Sequence, residues 1–258
     1  IENATTHGGG VDGKAVSSPS AYVHRSHSGH YGIVNSEEGY QNLTRFLFGA
    51  LRVDGVLDID DITLPTEVLQ AHEQGKAVRA SYQFEIAASV RGYQWQITRR
   101  EVRENSAIFR TYDELFPGKA RTVRPPDRSQ SPRLFSLFLD PNKSVKQSKS
   151  VSFAFDLKVL VPDYMVDGAL FLKRHYEGGF IYRELILVEA FHDATAPAGW
   201  RFKYGYQDMN PGKPGKDAEV RELVAGKPEL GIAFDIPIEQ KARPGLRGTL
   251  RMEARPWS

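Results

Sequence analysis

The sequence predicts a mainly β protein, an antiparallel β-sandwich over residues 77–258 behind a shorter N-terminal segment of different character. Three observations carry this. Segment 150–164, SVSFAFDLKVLVPDY, puts Val151, Phe153, Phe155, Leu157, Val159 and Val161 on one face and Ser152, Asp156 and Lys158 on the other. That two-residue period belongs to a strand packed on one side and wet on the other. About eight to ten such β-prone runs follow one another between turn-forming breaks. Helical periodicity is rare, and clearest at 37–48.

Residues 1–20 are rich in Gly, Ser and Thr and read as loop. AYVHR (21–25) reads as a short strand, and a loop holding His27 and His30 follows it. Ser36 then stands as an N-cap, with Glu37 and Glu38 in the first turn, where carboxylates suit the helix dipole. Tyr40, Leu43 and Leu47 recur at helical spacing beside Phe46, and Gly49 closes the element, so a helix is expected over 37–48. Residues 51–76 read as a connector. Asp54, Asp58, Asp60 and Asp61 cluster there without the spacing of a calcium loop, so a solvated turn is expected.

Strands are expected at 77–90, 93–103, 106–112, 133–139 and 150–164. A hairpin is expected about Glu177-Gly178-Gly179, and further strands in GWRFKYGYQD, GIAFDIPI (231–238) and LRGTLRMEARPW (246–257). Two segments rich in Pro, Gly and charge, 116–133 and 207–229, read as exposed loops, the second with a short helix near 217–225. The organisation is thus 1–50, a connector over 51–76, and the sandwich over 77–258.

Composition narrows the function classes. Hydrophobic residues make up 40% and charged residues 26%, as in globular proteins. Basic and acidic residues nearly balance, 34 against 32, which argues against a dedicated nucleic-acid binder. No run of about 18 apolar residues suggests a transmembrane helix. Cysteine is absent, so any metal would need His, Asp or Glu ligands. The opening IENATTHGGG has neither an initiator Met nor a signal-peptide pattern, and the chain is expected to be the C-terminal part of something longer.

The order strand, loop with His, closing helix in SHSGHYGIVNSEEGYQNLTRFLFG (26–49) resembles the C-terminal end of an α/β-hydrolase, more narrowly a bacterial lipase or esterase. GHYGIVNSEEGY resembles the loop that carries the catalytic His, and IENAT the continuation of the segment bearing the triad Asp. The resemblance covers residues 1–50. It implies that His30 is the catalytic base, that no cofactor is needed, and that the substrate is a lipid or other ester. It also implies that Asp lies just upstream of Ile1, and that the remainder of the hydrolase domain is a partner. His30 has flexible flanks and the right distance to the helix; His24 is committed to a strand, and His27 lies further from the helix. The nucleophile elbow G-x-S-x-G, which exposes the Ser, is absent, so the chain alone is expected to be inactive.

Other readings of the same residues stand beside this one. The spacing H-x-x-H-x-x-H would present metal ligands together on a helix, which Gly29 and Gly32 disfavour. All three histidines also fit as ordinary loop residues. The sandwich, alternatively, is a non-catalytic module binding lipid, carbohydrate or protein. Trp95, Trp200, Trp257, Tyr204 and Tyr206 would supply its aromatic platform, although Trp200, Phe202, Tyr204 and Tyr206 share one face of a strand and are expected in the core. Lys119, Arg121, Arg124, Arg128, Arg133, Lys143, Lys146 and Lys149 fall in loops that are solvated, or that meet anionic lipid headgroups. His175 and His192 are expected to be structural.

Overall fold

The computed structural model describes residues 7–9, 15–17, 36–118, 125–140, 150–167, 173–195, 200–208, 221–224 and 231–257. Strands β1 (His7–Gly9) and β2 (Ala15–Ser17) pair antiparallel. Helix α1 (Glu37–Phe48) has the bounds expected from sequence. The Ser36 side chain accepts from the Gly39 N–H at 3.0 Å, so one orphan donor of the first turn is satisfied. Ser36→Ala is expected to cost α1 about 1 kcal/mol, seen as faster hydrogen exchange in its first turn. Gly49 ends the helix for a reason other than left-handed backbone. Its conformation is extended, and a Cβ there would lie 2.3 Å from the Arg45 carbonyl oxygen and 3.0 Å from that of Leu139.

The expected connector over 51–76 is instead strand β3 (Leu51–Thr63) followed by helix α2 (Thr66–Glu73). Its aspartates are not a solvated turn. Asp54, Asp58 and Asp60 alternate with the buried Val53, Leu57 and Ile59 and meet cations on the sheet's outer face, while Asp61 is exposed. Arg52 and Arg255 reach Asp54 at 2.8 and 3.4 Å, Arg251 reaches Asp58 at 2.8 Å, and Arg128 pairs with Asp60.

The remaining elements are β4 (Val78–Val90), β5 (Thr98–Arg100), β6 (Ile108–Thr111), α3 (Tyr112–Leu115), β7 (Arg133–Leu139), β8 (Ser150–Asp167), β9 (Lys173–His192), β10 (Trp200–Asp208), β11 (Arg221–Val224), β12 (Ile232–Gln240) and β13 (Gly245–Pro256). Two antiparallel sheets result. The larger has the order β11-β10-β9-β8-β4, with β5 and β6 both on β4; the smaller has the order β12-β13-β3-β7. The protein is mainly β and antiparallel, as expected, with β3 as an inner strand of the smaller sheet.

Further local expectations fail: His7–Gly9 and Ala15–Ser17, in a segment read as loop, are strands, and the strand expected over 93–103 is only Thr98–Arg100. The hairpin turn does not fall at Glu177-Gly178-Gly179, because β9 runs through it opposite Asp163 and Val161. Gly178 serves close approach: a Cβ there would lie 1.9 Å from the Val161 carbonyl oxygen. Residues 221–224 within the expected 217–225 helix form β11 instead.

The core lies between the sheets. On β8, Phe153, Phe155, Leu157, Val159 and Val161 are buried, the face the alternation predicts. Phe135 of β7 stacks on Phe155 at 4.9 Å and 5°, and Phe202 of β10 on Phe234 of β12 at 3.8 Å. The Tyr206 hydroxyl donates to the Pro237 carbonyl across the same gap. Burial of each such ring is worth roughly 1.5–3 kcal/mol, so these stacks hold the layers together.

Candidate functional site

His30 lies outside the described residues, as do His24, His27 and the expected strand at 21–25. Of the hydrolase-like segment beyond its first seventeen residues, α1 and its Ser36 cap are what the structure places. The helix is turned in an unexpected direction. Tyr40, Leu43 and Leu47, the stripe whose period defines the helix, are 60, 55 and 55% exposed, and Phe48 beside them is 74% exposed. The face toward the sandwich carries Asn42 and Arg45, which are 6 and 3% exposed. An amphipathic helix on its own core shows the reverse.

The buried polar face is partnered except at Arg45 Nε, which is buried without a hydrogen bond. Asn42 Nδ2 donates to the Glu38 carbonyl at 3.0 Å, and Arg45 Nη2 donates to Asn42 Oδ1 at 2.8 Å. The guanidinium lies 5.2 Å from the centroid of the Tyr93 ring, and Tyr93 in turn donates its hydroxyl to the Asp140 carbonyl at 2.7 Å. Burial lowers the Arg45 pKa, because it disfavours the charged form, while Tyr93 and Glu38 oppose the shift. Next to this network Phe46 meets Phe138 edge-on at 4.8 Å, and both meet Trp257, at 5.9 and 4.9 Å.

Other sequence candidates resolve into structural roles. Asp54, Asp58 and Asp60 of β3 are occupied by arginines, and among the described residues no group of three or more His, Asp or Glu is placed to hold a metal. Phe202 and Tyr204 are buried, as expected of a core face rather than a platform; the Trp200 side chain lies outside the description. Of the basic loop residues, Arg128 pairs with Asp60 and donates to the Ile59 carbonyl at 3.1 Å. Residues 119–124 and 141–149, which hold most of the others, lie outside the described residues. Among the described residues no helix is long and apolar enough to cross a membrane.

His175 does have an acidic partner that sequence spacing concealed. Its Nδ1 lies 3.0 Å from Asp163 Oδ2, across the β8–β9 pairing. Both side chains are exposed, a setting in which such a pair contributes little. Met165 pairs with His175 in register, Arg174 and Glu177 stand beside it on β9, and none of the three carries a hydroxyl or thiol. Also hidden from sequence reading were Asn42 and Arg45 as the packed face of α1, and Trp257 as a neighbour of Phe46. Only the long-range pairing of β13 with β3 brings that last contact about.

No known protein family, curated protein or solved structure matches the chain.

Proposed function

We propose that this chain is the C-terminal part of a serine ester hydrolase of the lipase and carboxylesterase type. Residues up to 48 complete an α/β-hydrolase domain, and the β-sandwich is its accessory part. The nucleophilic Ser and the Asp of the triad belong to polypeptide outside this sequence. One observation supports the reading above the others: α1 turns its apolar stripe away from the sandwich. A stripe of Tyr40, Leu43, Leu47 and Phe48 left in water is what a helix shows when the sheet it belongs to is elsewhere.

In this reading the Ser hydroxyl attacks the ester carbonyl carbon while His30 removes its proton. His30 then returns that proton to the departing alkoxide, leaving an acyl-enzyme that water hydrolyses by the same steps. The Asp accepts a hydrogen bond from the other imidazole nitrogen and fixes the tautomer. None of this requires a cofactor.

The test uses the full reading frame that contains this chain, purified and treated with a fluorophosphonate probe. Wild type should be labelled on a Ser outside this chain, and His30→Ala should lower ester-hydrolysis kcat by about 10⁴-fold or more. Leu43→Glu with Leu47→Glu should leave the melting temperature of the isolated chain unchanged, since both side chains are exposed, yet abolish activity of the complete protein. A wild-type protein that takes no label would end the hydrolase reading. The sandwich would then be the place to look for binding.

A further inference from the structure

An antiparallel sheet packed on one side ordinarily turns polar residues to water on the other. The outer face of the larger sheet departs from this. Its register sets Ala87 of β4, Ala154 of β8, Leu185 and Leu187 of β9 and Gly205 of β10 together in the middle of that face. Leu187 is exposed, as are Phe180 and Phe109 toward one end. An apolar strip of this kind, rimmed by charge, marks an interaction surface. The rim is ordered about a centre. Ala88, Phe155 and Ile186 pair in one row and point inward. At equal distances on either side of that row stand Leu185 and Leu187 on β9, then Arg183 and Glu189. On β8 the same spacing matches Asp156 with Ala154 and Lys158 with Ser152, and on β4 it matches Ala87 with Ser89 and Glu85 with Arg91. No match sets like charges together. Lys158 is already held by Asp156 at 2.8 Å. Arg183 lies over the Phe180 ring at 5.1 Å and Glu189 accepts from the Ser150 hydroxyl at 2.8 Å, but among the described residues neither forms an ion pair.

We infer that the chain forms a two-fold dimer through this outer face, with Leu185 and Leu187 of both copies at its centre and Arg183 of each copy beside Glu189 of the other. A surface packs on itself about a two-fold axis only if residues equidistant from the axis suit one another, and those of β4, β8 and β9 do. The area suffices. Strands β10, β9, β8 and β4, about 4.8 Å apart and about eleven residues long at about 3.3 Å each, make a face of about 700 Å². Two such faces bury about 1,400 Å², within the range of about 1,200–2,000 Å² found in stable complexes. Reach suffices as well. Packed sheets lie about 10 Å apart and cross at about 30°, so Glu189 of the other copy is displaced sideways from Arg183 by about 5 Å, which an arginine side chain spans. Ala87, Ala154 and Gly205 keep the middle of the face low, leaving room for the leucines of the second copy. Helix α1 meets Phe138 of β7 in the smaller sheet, so the dimer face and the apolar stripe of α1 are separate surfaces, and the inference does not rest on the hydrolase reading.

Sedimentation velocity of the whole chain over a dilution series tests this. Wild type at micromolar concentration should run as a dimer that dissociates reversibly on dilution. Leu187→Glu should run as a monomer at the same concentration, with its β-sheet circular dichroism unchanged because the side chain is exposed. Arg183→Glu and Glu189→Arg should each weaken the dimer at least about ten-fold, since the two-fold axis brings the new like charges together twice. The double variant restores opposite charges and should dimerise within about three-fold of wild type. A residue that merely supports the fold would show no such rescue. Leu43→Glu with Leu47→Glu should leave the dimer as it is. A monomeric wild type overturns the inference. So does a dimer that the α1 variants dissolve and the sheet variants leave intact, for the copies then meet through the helix. Charge variants that weaken the dimer without recovery in the double variant overturn the two-fold register. Should a charge variant not fold, Leu187→Glu decides by the same readout. None of these outcomes touches fluorophosphonate labelling, so this inference and the hydrolase reading fail separately.

Discussion

Replacing Gly55 with valine is expected to destabilise the chain by at least about 3 kcal/mol, the upper end of what overpacking costs. Gly55 pairs across the sheet with Phe135, whose ring lies directly over it. A Cβ at Gly55 would stand 2.3 Å from Phe135 Cζ and 2.6 Å from both Cε atoms. The ring has nowhere to retreat, because its other side is stacked on Phe155, which is fully buried against Phe153. Chemical denaturation of wild type, Gly55→Val, Phe135→Ala and the double variant settles the cause. Phe135→Ala alone should cost about 3–5 kcal/mol. The double variant should be little worse than that, since valine then enters space the ring has left. Single costs that simply add would refute a shared volume as the cause.

Alkaline unfolding is the second large effect. Tyr82, Tyr164 and Tyr182 are buried, and each has its pKa raised chiefly by that burial. Tyr164 is pushed up to about 12. Tyr82 goes well above the usual value, helped by the nearby Tyr164 phenol, and Tyr182 is raised further by the Glu184 carboxylate that accepts its hydrogen bond at 2.8 Å. A group whose pKa is raised on folding contributes stability in full below its unfolded pKa, here about 10, and loses it as pH rises toward the folded value. Above about pH 10 each tyrosine removes about 1.4 kcal/mol per pH unit, so the three together remove about 4. Ordinary domain stability of about 5–15 kcal/mol is then exhausted within a few pH units. Denaturation midpoints should be level up to about pH 10 and fall steeply beyond it. The last phenolate absorbance should rise together with loss of β-sheet circular dichroism. Buried phenols that ionise while the sheets remain intact would contradict this.

Where one chemistry acted alone, the fold was legible in the sequence. The helix at 37–48 carried its own start signal in Ser36, and β8 its strict alternation. The sequence of β3 misled because four aspartates in thirteen residues look like solvent exposure. The partners of three of them, Arg255, Arg251 and Arg128, lie far along the chain. Gly178 looked like a turn because local sequence does not distinguish a glycine that bends the chain from one that lets a carbonyl approach. The stripe on α1 was legible as a period but not as a direction. Periodicity says that Tyr40, Leu43 and Leu47 share a face; it does not say which core that face belongs to. The roles of Asn42 and Arg45 followed from that direction, so they were hidden with it.

The pairing of β3 with β13 also governs how the chain must be made. Leu57 lies opposite Leu250, and Arg52 opposite Arg255, so the smaller sheet joins the first long strand to the last. Such contacts give a high contact order, for which loop-closure entropy has to be met before any pairing repays it. During synthesis β3 leaves the ribosome long before β13 exists. Until then both its edges look for hydrogen bonds, with only β7 arriving early enough to cover one of them. The chain should therefore fold slowly and mainly after translation, with an unpaired apolar strand in the waiting state that favours aggregation over refolding as concentration rises.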